Sequence, residues 1–99
     1  MEVGRVIGTV TATIKHSAYH EKRLLVVQQY DLNGQPNGPV RIAVDYVGAG
    51  EGDLVLIGGA PGVAAHVFGL EKAPIRDLIM GIVDHVDIEN RQVMNLYAD

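Results

Sequence analysis

Apolar and polar positions alternate along much of this chain with a period of two, the period of strands whose successive side chains face opposite ways. Over residues 2–14, Val6, Gly8, Val10, Ala12 and Ile14 share one face. Arg5, Thr9, Thr11 and Thr13 lie on the other, with Val3 and Ile7. Threonines in this pattern fit a half-buried strand. The small Gly8 and Ala12 on its inner face predict strong bending, as in a small barrel. Residues 15–23 are polar and aperiodic and read as a loop, the most basic segment of the chain. Residues 24–30 form a second strand. The connection that follows holds Asn33-Gly34 and Asn37-Gly38, two strong hairpin signals. Residues 40–47 alternate again, Val40, Ile42, Val44 and Tyr46 against Arg41, Ala43 and Asp45. A short, wholly apolar fourth strand occupies residues 54–57.

Glycines and Pro61 break the pattern after residue 57. Residues 63–68 read as one or two helical turns; residues 75–79 fit either class of element, and Pro74 would suit the start of a short helix there. Residues 80–88 form the fifth strand, with Ile82, Asp84, Val86 and Ile88 on one face and Val83, His85 and Asp87 on the other. Residues 89–99 are a tail whose Val93, Met94, Leu96 and Tyr97 give it an apolar side, so it is expected to dock on the barrel or on a neighbouring subunit. The chain therefore reads as mainly all-β: a small five-stranded OB-like β-barrel with one or two short helices. It is one domain over residues 1–99, without internal repeat or low-complexity segment.

Composition narrows the functional classes. Ninety-nine residues, 47% of them hydrophobic, support one modest core. No long apolar run or charged-then-apolar start is present, so neither a membrane span nor a signal peptide is expected. Cysteine is absent, which excludes disulfides and thiolate metal sites and fits a reducing cytosol. The net charge is −4, without a basic patch, and the chain has four Tyr, one Phe and no Trp. These features argue against nucleic acid as a partner. A thin core makes association with further copies a natural way to bury more surface.

The stretch between the third and fourth strands, Gly48-Ala49-Gly50-Glu51-Gly52-Asp53, has three readings. A dinucleotide fingerprint would need a sixth-position glycine and a following helix, but Asp53 and a short apolar strand stand there. A tight turn without function is the second reading. The third is a close backbone approach, to a ligand or to another copy of the chain. Elsewhere, His16 and His20 have metal-site spacing but no helical period and no third ligand, and Lys15, Lys22 and Arg23 stand near them. His66 and His85 read as surface residues, and Ser17 has no nucleophile motif around it. Asp84 and Asp87 fall on opposite faces of their strand. No catalytic, cofactor-binding or metal-binding set emerges, and a structural or binding role is expected.

Four segments taken together resemble a known family. They are Gly4-Arg5-Val6-Ile7-Gly8-Thr9-Val10, Leu25-Val26-Val27-Gln28, the run from Ala43-Val44-Asp45 through the glycine turn to Asp53, and Gly81-Ile82-Val83-Asp84. In this order and spacing they resemble the EutN/CcmL family of bacterial microcompartment vertex proteins, across nearly the whole chain. The resemblance implies a five-stranded OB-like barrel that assembles into homopentamers. It implies a cytoplasmic location at the vertices of a polyhedral shell, with hexameric and trimeric shell proteins as neighbours. It implies no catalytic residues, cofactors, nucleic acid or membrane. Gly48, Ala49, Gly50, Glu51 and Gly52 become the candidate turn lining the opening on the fivefold axis. Residues 15–23, 60–72 and those after Ile88 match no pattern of the family. The rival expectations are a monomeric OB-like module binding a small ligand or oligonucleotide, and a small metal protein or enzyme using His16 and His20.

Overall fold

The computed structural model describes residues 1–11, 22–58 and 77–95. Their strands are β1 (Glu2–Val10), β2 (Arg23–Tyr30), β3 (Pro36–Asp45), β4 (Leu54–Gly58), β5 (Leu78–Ile82), β6 (His85–Ile88) and β7 (Arg91–Asn95). The first five close into a barrel in the order β1-β2-β3-β5-β4, and β6 and β7 pair separately as a hairpin. The barrel pairs are antiparallel except β3 with β5, which is parallel. This is the five-stranded OB-like architecture expected from the sequence.

Alternation supplies the core. Val6 of β1, Leu25 and Val27 of β2, Ala43 of β3, Val55 and Ile57 of β4 and Ile79 of β5 point inward and form one buried cluster with Ala49. The barrel is tight on the β1 side. A Cβ on Gly4 would lie 2.6 Å from a Val27 methyl and 2.7 Å from the Gln28 carbonyl oxygen. The close approach is therefore at Gly4 and not at Gly8, which sits at a register shift between Val6 and Gly8. Ala12 lies outside the described residues.

One polar group fills the other end of the barrel. Arg41 on β3 reaches Glu2 at 3.1 Å, Gln29 Oε1 at 3.1 Å and the Asp77 carboxylate just ahead of β5. The hydrogen bond that Arg41 donates to Asp77, and after it the one to Glu2, raises the guanidinium pKa against the opposing effect of burial, so Arg41 stays cationic.

Several boundaries differ from expectation. β1 ends at Val10, and residues 12–14 of the predicted strand lie outside the described residues. β3 begins at Pro36, before the predicted Val40, because Asn37-Gly38 is a bulge inside the strand: Tyr30 pairs with Pro36 and Gln28 with Val40. The hairpin turn is instead at Asn33-Gly34, where Asp31 Oδ1 accepts the N–H groups of Asn33 and Gln35 at 2.9 and 3.0 Å. Of the two readings of residues 75–79, the helix is corrected: Leu78 and Ile79 belong to β5, with Ile79 opposite Ile57. The predicted helix at residues 63–68 falls outside the described residues, among which no helix occurs. The predicted fifth strand is two strands, because the chain leaves the barrel at Val83-Asp84. β6 and β7 then turn through Glu89 and Asn90, both with positive φ (52° and 64°), the mark of a type I′ hairpin.

Candidate functional site: the glycine turn

The glycine turn leaves β3 at Asp45 and enters β4 at Leu54. Asp45 is buried at the end of β3. Its Oδ1 accepts the backbone N–H groups of Val47, Gly48 and Ala49 at 3.1, 3.2 and 3.1 Å. Arg23 Nη1 donates to Asp45 Oδ2 at 3.3 Å and to the Ala49 carbonyl at 2.8 Å. Ala49 is thereby held with its methyl in the barrel core, where Val47 packs against the same cluster.

The second half of the turn is bound to β1. Asp53 Oδ2 accepts the Gly50 N–H at 2.8 Å, and the Asp53 N–H returns to the Gly50 carbonyl at 3.0 Å. Gly52 N–H donates to the Val6 carbonyl at 2.8 Å, and Val6 N–H donates to the Asp53 carbonyl at 2.9 Å. Arg5 Nη1 donates to the Gly52 carbonyl at 2.7 Å, while its Nη2 donates to the Asn95 carbonyl at 3.1 Å. One side chain thus joins the turn to the C-terminal hairpin.

This geometry removes the dinucleotide reading. A phosphate cradle needs backbone N–H groups aimed outward. Here the N–H groups of residues 47–50, 52 and 53 all donate within the chain. What remains outside is a nearly bare surface: Gly48, Glu51 and Gly52 are exposed and Gly50 is partly so. The glycines are not equivalent. Gly48 and Gly52 have φ of 85° and 93°, a conformation that other residues adopt at a cost. Gly50 is outside that region. A Cβ on any of the three would meet no atom within 4 Å among the described residues. No close approach among them explains the glycine at position 50.

His16, Ser17, His20 and His66 lie outside the described residues. Among the described residues no three potential metal ligands come together. His85 Nδ1 lies 3.1 Å from Asp87 Oδ2 on the exposed hairpin. Asp84 lies between β5 and β6, off the strand that was expected to separate it from Asp87. The sequence reading missed the supports of the turn, Asp45, Arg23 and Arg5. Only Asp45 carried a local signal, an Asp three residues before a glycine, the pattern of a side chain capping its own turn.

The family described as "Ethanolamine utilisation protein EutN/carboxysome" matches residues 1–84. The carboxysome shell vertex protein CcmL of Gloeobacter violaceus is 37% identical over 91 residues, covering 92% of this chain and 90% of its own. Its solved structure superposes with a TM-score of 0.85 at 36% identity, covering 96% of this chain and 97% of that one. The bacterial microcompartment shell vertex protein EutN of Salmonella typhimurium is 34% identical over 87 residues, covering 87% of this chain and 86% of its own. The GrpN pentameric microcompartment shell protein of Rhodospirillum rubrum superposes with a TM-score of 0.75 at 33% identity, covering 89% of this chain and 99% of that one. By profile, sequence and fold alike, this chain belongs to the EutN/CcmL family.

Proposed function

We propose that this chain is a structural subunit of a bacterial microcompartment shell in the cytoplasm. Five copies form a ring that caps a vertex of the polyhedral shell, with hexameric and trimeric shell proteins around it. The subunit carries no catalysis of its own. The observation that carries this reading is the alignment over about nine-tenths of the chain with proteins named as shell vertex proteins. The pentamer named in the GrpN structure supports fivefold assembly. Residues 1–99 act as one barrel domain, with residues 89–99 as a docking segment.

Within the ring, Gly48, Ala49, Gly50, Glu51 and Gly52 form the turn nearest the fivefold axis. Symmetry brings the same segment of every copy to the axis, and the segment with least side-chain bulk converges most closely. Gly50 supports the assignment, since neither its φ nor a contact among the described residues calls for glycine. Ala49 serves as the anchor, its side chain in the core, so the backbone and Glu51 are what the turn presents.

Native mass spectrometry of the purified protein tests the assembly. A fivefold species at micromolar concentration is expected. A monomer or dimer under every mild condition would sink the vertex reading and promote a monomeric binding module.

A further inference from the structure

β2 is apolar on both faces. Leu25 and Val27 enter the core, while Leu24 and Val26 point outward. An antiparallel strand with one solvated face alternates apolar and polar, whereas consecutive apolar residues mark a strand covered on both sides. β3 repeats the feature, with Ala43 inward and Val40, Ile42 and Val44 outward.

Strand register arranges the outward residues in rungs. Leu24 pairs with Val44, and Val44 with Leu78 of β5; this rung is covered, since Val44 and Leu78 are buried. The next rung is Gly8, Val26 and Ile42, followed by Arg5, Gln28 and Val40. These are open: Ile42 is 56% exposed, and Val40 and Ile7 are each 48% exposed. Single exposed apolar residues need no explanation, but an aligned set continuous with a covered rung is a patch. The rung Gly8-Val26-Ile42 contains no charged residue, as at the core of a protein–protein interface, and Arg5 stands at the β1 end of the rung beyond it, at the rim.

We propose that the outer face of β1–β3, centred on Ile42, is the surface against which the next copy of this chain packs in the ring. The inference rests on the pentamer proposed above and names the surface that builds it. A ring about one axis uses a heterologous contact, in which each copy offers this face to a different surface of its neighbour. Ile42 lies three residues before Asp45, on the strand that delivers the glycine turn. A ring that brings the turn to the axis therefore lays this flank of the barrel alongside a neighbour.

The test compares the parent chain with Ile42→Asp and Leu32→Asp by native mass spectrometry and circular dichroism. Leu32 is 62% exposed but sits in the β2–β3 turn, off the patch. The parent and Leu32→Asp are expected to be pentameric. Ile42→Asp is expected to be a folded monomer, with the concentration needed for assembly raised roughly a hundred-fold or more. In the unmodified pentamer, carbene footprinting is expected to label Leu32 and spare Val40 and Ile42. That measurement decides the question even if Ile42→Asp does not fold. A pentameric Ile42→Asp, labelling of Val40 and Ile42 in the ring, or dissociation by Leu32→Asp as well would overturn the assignment and leave the pentamer standing. If Ile42→Asp stays pentameric but no longer enters a co-expressed shell, the face belongs to another shell protein and the assignment is equally overturned. A parent that is not pentameric removes the ring itself and this inference with it.

Discussion

At the scale of single residues, the turn is shaped by carboxylates as much as by glycines. Asp45 holds three backbone N–H groups and an arginine with one buried side chain. Removing it strands those donors and leaves Arg23 without its carboxylate partner. Asp45→Ala is expected to cost the subunit about 3 kcal/mol, read as a lowered urea midpoint. A loss below about 1 kcal/mol would mean that water replaces the carboxylate freely. The glycines separate by mechanism. Gly52→Ala places a side chain at φ 93° and is expected to destabilise the subunit by about 1 kcal/mol. Gly50→Val meets neither a positive φ nor a contact among the described residues. It is expected to leave the subunit folded and to weaken or prevent the ring, because five branched side chains crowd the axis. Native mass and circular dichroism measured together check this. A Gly50→Val protein that assembles fully with unchanged thermal stability would remove the turn from the axis.

At the scale of elements, the C-terminal hairpin forms its own two-stranded sheet, separate from the barrel sheet. Met94 is buried, 7% exposed, and a Cβ on Gly34 would lie 2.8 Å from the Val93 carbonyl oxygen. Arg5 adds its bond to Asn95. Truncation after Glu89 removes β7 and with it the Met94 contact, and an isolated strand such as β6 has no partner left. The truncated chain is expected to be less stable by about 2 kcal/mol, read by thermal unfolding. Rapid removal of residues 90–99 by limited proteolysis, with no other change, would contradict this. The same hairpin shows what the sequence conveyed and what it did not. Alternation located β1 and β3, and short apolar runs located β2 and β4. Alternation carried no mark of the departure from the barrel, because Ile82, Val86 and Ile88 keep their apolar spacing across the break at Val83-Asp84. The Asn-Gly pairs were equally ambiguous: both glycines have positive φ, yet one closes a hairpin and the other makes a bulge. At the turn, the glycine pattern was legible. The salt bridge from Arg23 and the reach of Arg5 were not, since they join positions 22 to 90 residues apart.

At the scale of the whole molecule, the argument is one of closure. The barrel leaves apolar residues of β3, Val40 and Ile42, open to solvent in the single subunit. A ring of identical copies covers such a face without leaving one subunit's surface unmatched, because a heterologous contact that closes uses every copy equally. The ring then has a role that its neighbours cannot fill. Shell proteins packed sixfold make a flat layer, and a flat layer bends into a polyhedron only where a fivefold unit replaces a sixfold one. The vertex protein is therefore required for closure and not for the formation of facets. Omitting this chain from a co-expressed shell is expected to give open or elongated shells whose flat facets persist, and electron microscopy of purified particles checks it. Restoring the parent chain is expected to restore closed polyhedra, and Gly50→Val is expected not to. Closed, equant shells formed without this chain would mean that the vertices are filled by something else. Loss of the facets themselves would mean that it belongs to the body of the layer.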